Sequence, residues 1–178
     1  MAATSPPWLI VGQEISEVLA RVDLDTFDRL ALILEPAHRR WFFTGQGRSG
    51  LSAQMAAMRF MHIGRTVHYV GEASAPSIRK NDGLIVVSAS GETPVSLGFA
   101  KIAKSEGALV VAVTQKPKSS LANIADTTLH IPIETTVQFG GSLFEQTCLI
   151  LLDSLILQLT GATPEIHKAM HERHTNLQ

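Results

Sequence analysis

The sequence predicts an α/β three-layer sandwich with a five-stranded, mainly parallel sheet. Three observations carry that expectation. From residue 41 onward, five short apolar segments alternate with longer helical ones. Three of the five, at 41–43, 83–88 and 108–114, are near-continuous apolar runs, the pattern of strands covered on both faces. Loops of Gly, Ser and Thr follow these strands, at the sheet edge where open α/β folds bind ligands.

The elements follow in order. Residues 7–38 read as two helices. Asp25-Thr26-Phe27-Asp28 can open the second, and Leu30, Ile33 and Leu34 give it an apolar stripe. Trp41-Phe42-Phe43 is a strand ending at Gly45. Residues 51–63 form a helix with Leu51, Met55, Met58 and His62 on one face. Residues 66–70 are a strand ending at Gly71, and 83–88 are another. Pro94 suits a first helical turn, so a helix runs to Glu106 and Gly107 closes it. A strand over 108–114, a short helix over 119–125 and a weaker strand over 127–131 come next. A long helix over 142–159 and a short one over 164–174 finish the chain. A single domain over 1–178 is expected, with N-terminal helices in 1–38, a βα core in 39–160 and a helical tail in 161–178.

Composition limits the function. At 178 residues the chain can bury a core without disulfides or metals. Hydrophobic residues at 45% and charged residues at 17% exclude intrinsic disorder. Lys+Arg 15 against Asp+Glu 16 leaves a net charge of −1, so no basic excess drives nucleic-acid binding. The lone cysteine, Cys148, fits a reducing compartment. Residues 1–8 lack the basic and apolar regions of a signal peptide. The apolar stretch 143–159 carries Glu145, Asp153 and Gln158 and is short for a membrane span. A cytoplasmic protein without a membrane partner is expected.

Two loops have the parts of a phosphate cradle. The first is Thr44-Gly45-Gln46-Gly47-Arg48-Ser49-Gly50 and the second is Ser88-Ala89-Ser90-Gly91-Glu92-Thr93. Each joins approachable backbone amides and hydroxyls to a helix N-terminus. A third hydroxyl-rich loop begins at Thr114. Gly, Ser and Thr also make ordinary turns and caps, but several such loops at one sheet edge favour an anion site. Gly47, Arg48, Ser49, Ser88, Ser90, Gly91, Glu92, Thr93 and Thr114 are therefore the candidate phosphosugar-binding residues. Glu92 is assigned a structural part, since a carboxylate beside a phosphate must be bonded elsewhere. Gly45, Gly47 and Gly50 also spell G-x-G-x-x-G, with Glu72 placed for a ribose hydroxyl, so a dinucleotide site is a rival. The second Ser-rich cup has no part in that rival.

These motifs carry a family resemblance. Gly45-x-Gly47-Arg48-Ser49-Gly50, Ser88-x-Ser90-Gly91-Glu92-Thr93, the 58–64 segment, Gly141-Ser142-Leu143-Phe144-Glu145-Gln146 and the closing Glu172-Arg173-His174-x-Asn176-Leu177 resemble the 6-phospho-3-hexuloisomerase family of sugar-isomerase (SIS) domain proteins. Ala89 departs from it, standing where the family usually has glycine. The resemblance implies a flavodoxin-like sheet and a homotetramer. It also implies interconversion of D-arabino-hex-3-ulose 6-phosphate and D-fructose 6-phosphate, in the ribulose monophosphate route of formaldehyde assimilation. A non-catalytic phosphosugar sensor of the same fold is the alternative.

The chemistry needs one base and a means of stabilising an enediolate. Glu145, in the first turn of the apolar helix, is one catalytic candidate. Ser142-Leu143-Phe144-Glu145 also spells a capping box, in which Glu145 would bond back to the cap amide. The resemblance implies the base. His62 is the other candidate. It lies thirteen residues beyond Ser49 on one helix, roughly 20 Å away, so it would act in a neighbouring subunit's site. Arg48 can contact the phosphate or lock to a carboxylate. His167, His171 and His174 do not make a metal-binding pattern, and neither metal nor organic cofactor is expected. Leu149, Ile150, Leu151, Leu152, Leu155, Ile156 and Leu157 cannot all face one sheet, which argues for a homo-oligomer.

Overall fold

A computed structural model describes residues 5–177. The part of the leader expectation that falls on residues 1–4 lies outside the described residues.

Two helices lead, α1 (Pro7–Leu19) and α2 (Leu24–Leu34). The cap of α2 differs from the expected one: Asp23 rather than Asp25 opens it, its carboxylate accepting the Thr26 N–H at 2.8 Å. Asp25 then sits in the first turn, where its charge meets the positive end of the helix. The βα alternation follows: β1 (Trp41–Gly45), α3 (Gly47–His62), β2 (Val67–Tyr69), β3 (Gly83–Val87), α4 (Pro94–Ser105), β4 (Leu109–Thr114), α5 (Ser120–Ile124) and β5 (Thr127–His130). Helix α6 (Ser142–Thr160) and helix α7 (Pro164–Glu172) close the chain. Helix α3 starts four residues before the expected position, because Gly47 at φ +56° lets the chain turn directly out of β1.

The sheet has five strands in the order β2-β1-β3-β4-β5, and every pairing is parallel. The chain therefore reverses its direction of travel across the sheet between β1 and β3. Register is tight in the middle. Trp41 pairs with Gly83, and a Cβ at Gly83 would fall 2.2 Å from the Trp41 ring. Only glycine lets the two central strands start flush there.

Alternate residues of the strands feed two cores. One face sends Trp41, Phe43, Ile85, Val87, Val111, Val113 and Leu129 against α1, α2, α3 and α6. The other sends Phe42, Leu84, Val86, Val110 and Ala112 against α4 and α5. The expected sandwich is thus observed, with a thick first layer and a thin second one. Helix α6 is long and apolar enough to cross a membrane by length and composition, yet eight of its side chains lie in the protein core. Of the seven apolar residues that suggested oligomerisation, Leu151, Leu152, Leu155 and Ile156 are buried within this chain. Ile150 and Leu157 stay exposed.

Candidate phosphosugar site

The rim begins where β1 hands over to α3. A Cβ at Gly50 would lie 2.6 Å from the Gly45 carbonyl and 2.8 Å from the Tyr69 hydroxyl. The same hydroxyl donates to the Gly45 carbonyl at 3.1 Å. Two of the three fingerprint glycines are therefore explained by close strand–helix approach. Glu72, the ribose candidate, faces His68 Nδ1 at 3.3 Å instead. Helix α3 has no side-chain cap, so its leading amides are free for a ligand.

The second cup is sewn together from three segments. Ser88 Oγ accepts the Gly91 N–H at 3.2 Å and lies 3.3 Å from Thr93 Oγ1. Ser90 Oγ accepts the Glu92 N–H at 3.2 Å. Thr114 donates its hydroxyl to the Ala89 carbonyl at 3.1 Å and accepts the Lys116 N–H at 3.1 Å. The Gly91 carbonyl accepts the Leu121 N–H at 3.0 Å. Glu92 turns away from the cup and accepts the Ser120 N–H at 2.7 Å. That backbone bond, with the Ser120 side chain, holds its carboxyl below the usual range, as its structural assignment requires. Thr114 is fully buried and Ser88 nearly so, so these hydroxyls brace the cup. Ser90, Thr93 and Ser49 remain accessible on it. Helix α4 starts at Pro94 with no side-chain cap, which supplies a second set of open amides. Gly91 has φ +65° and packs against Ser119. Asn81 and Ala162 are the non-glycine residues at positive φ among the described residues, so the methyl group of Ala89 causes no strain.

Glu145 stands at the head of α6. The N-cap is Gly141 and no side chain caps the helix, so the capping box does not form. The carboxylate instead pairs with the Arg48 guanidinium. Ser52 Oγ donates to the Arg48 and Glu145 carbonyls at 3.3 Å each, tying the starts of α3 and α6 together. The Glu145 side chain is 13% exposed and that of Arg48 is 64% exposed. A Cβ at Gly141 would lie 3.2 Å from Glu145 Oε1, so the glycine leaves one carboxylate oxygen uncovered. Beside this point a cavity of about 160 Å³ is lined by Gln115, Lys116, Thr135, Thr136, Gly140 and Gly141. It connects the end of β4 to the loop ahead of α6.

His62 is not brought to this rim. It closes the last turn of α3, only 3% exposed. Its ring stacks on His174 with centroids 5.4 Å apart, and its carbonyl accepts from Arg173 at 3.2 Å. Burial, then Arg59, then His174 lower its pKa. Within its own chain it holds the tail, which the sequence did not reveal. Sequence reasoning also missed Glu14 and Tyr69. Their partners lie more than twenty residues away, and no local pattern signals such contacts.

The chain is similar to known proteins along most of its length. A family model described as "SIS domain" matches residues 33–159. A Mycobacterium gastri protein named 3-hexulose-6-phosphate isomerase is 37% identical over 178 residues, covering 95% of this chain and 88% of that protein. A Bacillus subtilis protein of the same name is 36% identical over 174 residues, covering 93% and 94%. The fold matches a crystal structure from Methanococcus jannaschii with a TM-score of 0.86 and 30% identity, covering 97% of this chain and 99% of the other. For that protein a 3-hexulose-6-phosphate isomerase function was inferred.

Proposed function

This chain belongs to the SIS domain family, and from that premise we propose that it is a 3-hexulose-6-phosphate isomerase. The observation that carries the reading is Glu145. Its carboxylate sits beside Gly141 at the rim shared with two uncapped helix starts.

The phosphate is held by the leading amides of α3 and α4 together with the hydroxyls of Ser49, Ser90 and Thr93. Its binding energy positions the reacting carbons. The 3-ulose could close a five-membered ring only through O6, which carries the phosphate, so it binds open-chain and needs no ring-opening acid. Glu145 removes the proton from C2, giving an enediol across C2 and C3. The same carboxyl returns the proton to C3, while the hydroxyl proton of O2 is lost and O3 is protonated. Arg48, beside Glu145, supplies positive charge to the developing enediolate.

The working unit we propose is a homo-oligomer, a tetramer, in the cytoplasm. Leu51, Met55 and Met58 form an exposed apolar stripe on α3, and Leu51 and Met55 share a groove with Leu149, Arg48 and Glu145. Met55 lies midway between Arg48 and His62, which are roughly 21 Å apart along the helix. A two-fold pairing at Met55 sets His62 opposite the partner chain's rim, where its ring acts once His174 moves aside. The test of the function is turnover. The 3-ulose 6-phosphate is supplied and fructose 6-phosphate is read through a coupled dehydrogenase. No product at high enzyme concentration would leave the sensor reading.

A further inference from the structure

We infer that Glu14 is a positioning residue: through a carboxylate clasp, α1 holds the loop 131–141 as the wall of the sugar site. The inference rests on the isomerase reading above. This loop runs from β5 to α6 and has no regular structure. Its ends are anchored, Ile131 and Leu143 being buried. Its middle is not, since Val137 is 79% and Phe139 is 96% exposed. Gly140, at φ +59°, gives it a free hinge just ahead of Glu145. A segment of this kind samples many conformations unless something ties it.

Glu14 supplies the tie from a helix more than 120 residues away. Its carboxylate accepts the Thr136 hydroxyl at 3.0 Å, the Val137 N–H at 2.8 Å and the Gln138 side-chain amide at 3.0 Å. Thr136 Oγ1 in turn accepts the Gln138 N–H at 3.0 Å. One carboxylate thus fixes three consecutive residues. Charge-assisted bonds of this kind are stronger than neutral ones. The bond from Gln138 is the chief reason the Glu14 carboxyl is held below the usual range, so the clasp stays ionised at neutral pH. The neighbouring Arg21–Glu134 pair at 3.1 Å is exposed and adds little. Thr135, Thr136, Gly140 and Gly141 of the clasped loop line the cavity beside Glu145. A sugar reaching from the cup towards Glu145 meets this wall. With the clasp broken the wall is competent only part of the time, and the apparent affinity falls by that fraction. Bound sugar re-orders the loop, so the loss falls on KM rather than on kcat.

The test compares wild type, Glu14→Ala, Glu14→Gln and Gln138→Ala in the coupled assay, with amide exchange of residues 132–141 with and without fructose 6-phosphate. Glu14→Ala is expected to raise KM about tenfold with kcat within about twofold. Exchange across 134–140 should be faster and slow again when the sugar is added. Glu14→Gln, which keeps one acceptor oxygen, should lose less. The double variant Glu14→Ala/Gln138→Ala should lose no more than Glu14→Ala alone. Gln138→Ala weakens the clasp from the loop side, at a half-buried residue, and serves where Glu14→Ala does not fold. Unchanged loop exchange, or faster exchange with an unchanged KM, overturns the inference alone. A wild type without turnover overturns the isomerase reading first and the inference with it.

Discussion

Gly91→Ala tests the cup most directly. The new methyl would lie 2.1 Å from Ser119 Oγ and 2.5 Å from Ser119 Cβ, at a backbone φ of +65°. The left-handed backbone costs about 1 kcal/mol and the overpacking about 2 kcal/mol more. Ser119 has little room to yield, because it is 4% exposed and caps α5 through the Ala122 N–H. A total of ~3 kcal/mol lowers the melting temperature by about 6–12 °C in a chain of this size. Fructose 6-phosphate binding should weaken as well, since Gly91 joins Ser88 to Leu121. The control is Gly98→Ala, a helical glycine with open space around its Cβ position, which should gain about 0.5–1 kcal/mol. Thermal melts and titration calorimetry read both. A Gly91→Ala protein that melts with wild type and binds the sugar equally would refute the close packing on which the cup depends.

Four further outcomes are expected. Glu145→Gln should keep sugar binding, read by thermal shift, and lose turnover by about a hundredfold or more; near-normal rates would remove Glu145 as the base. Asp82→Ala should cost about 2 kcal/mol, read by urea unfolding, because it strips a buried carboxylate from the two-pronged Arg40 contact at 2.9 and 2.6 Å and from the Arg79 N–H. His62 is buried neutral, its pKa held below the ordinary histidine value by burial first and then by Arg59 and His174, so the unfolded chain takes up the proton first as pH falls. Its contribution is complete above that value and is lost as pH drops towards the lowered folded one, and His62→Gln should flatten this acid slope in unfolding curves. Met55→Glu should dissociate the proposed oligomer in light scattering, and a mass unchanged from that of the wild type would remove the α3 face as its interface.

The fold was legible because burial on both faces leaves a plain mark. Runs such as Leu84 to Val87 have no polar positions to confuse the period, and Pro94 and Gly107 bracket α4 in the sequence as they do in space. The two cups were legible for the same local reason, since a strand, a small-residue turn and a helix start are contiguous. What escaped was set by distance along the chain. The capping box at Ser142 looked complete, but Arg48, 97 residues away, claims the Glu145 carboxylate. The shared face of Leu51, Met55, Met58 and His62 was real for three of them. His62 differs because His174 and Arg173 return from the tail to cover it. Neither result could be read from neighbours three or four positions off.

The reversal of the chain between β1 and β3 also bears on how such a protein can change. Strands that carry their helices to opposite sides part at their tips, so a cleft forms there whatever side chains edge it. Replacing the residues on its lips can therefore alter which small anion lodges between them, while the hollow itself persists for as long as the strand order does.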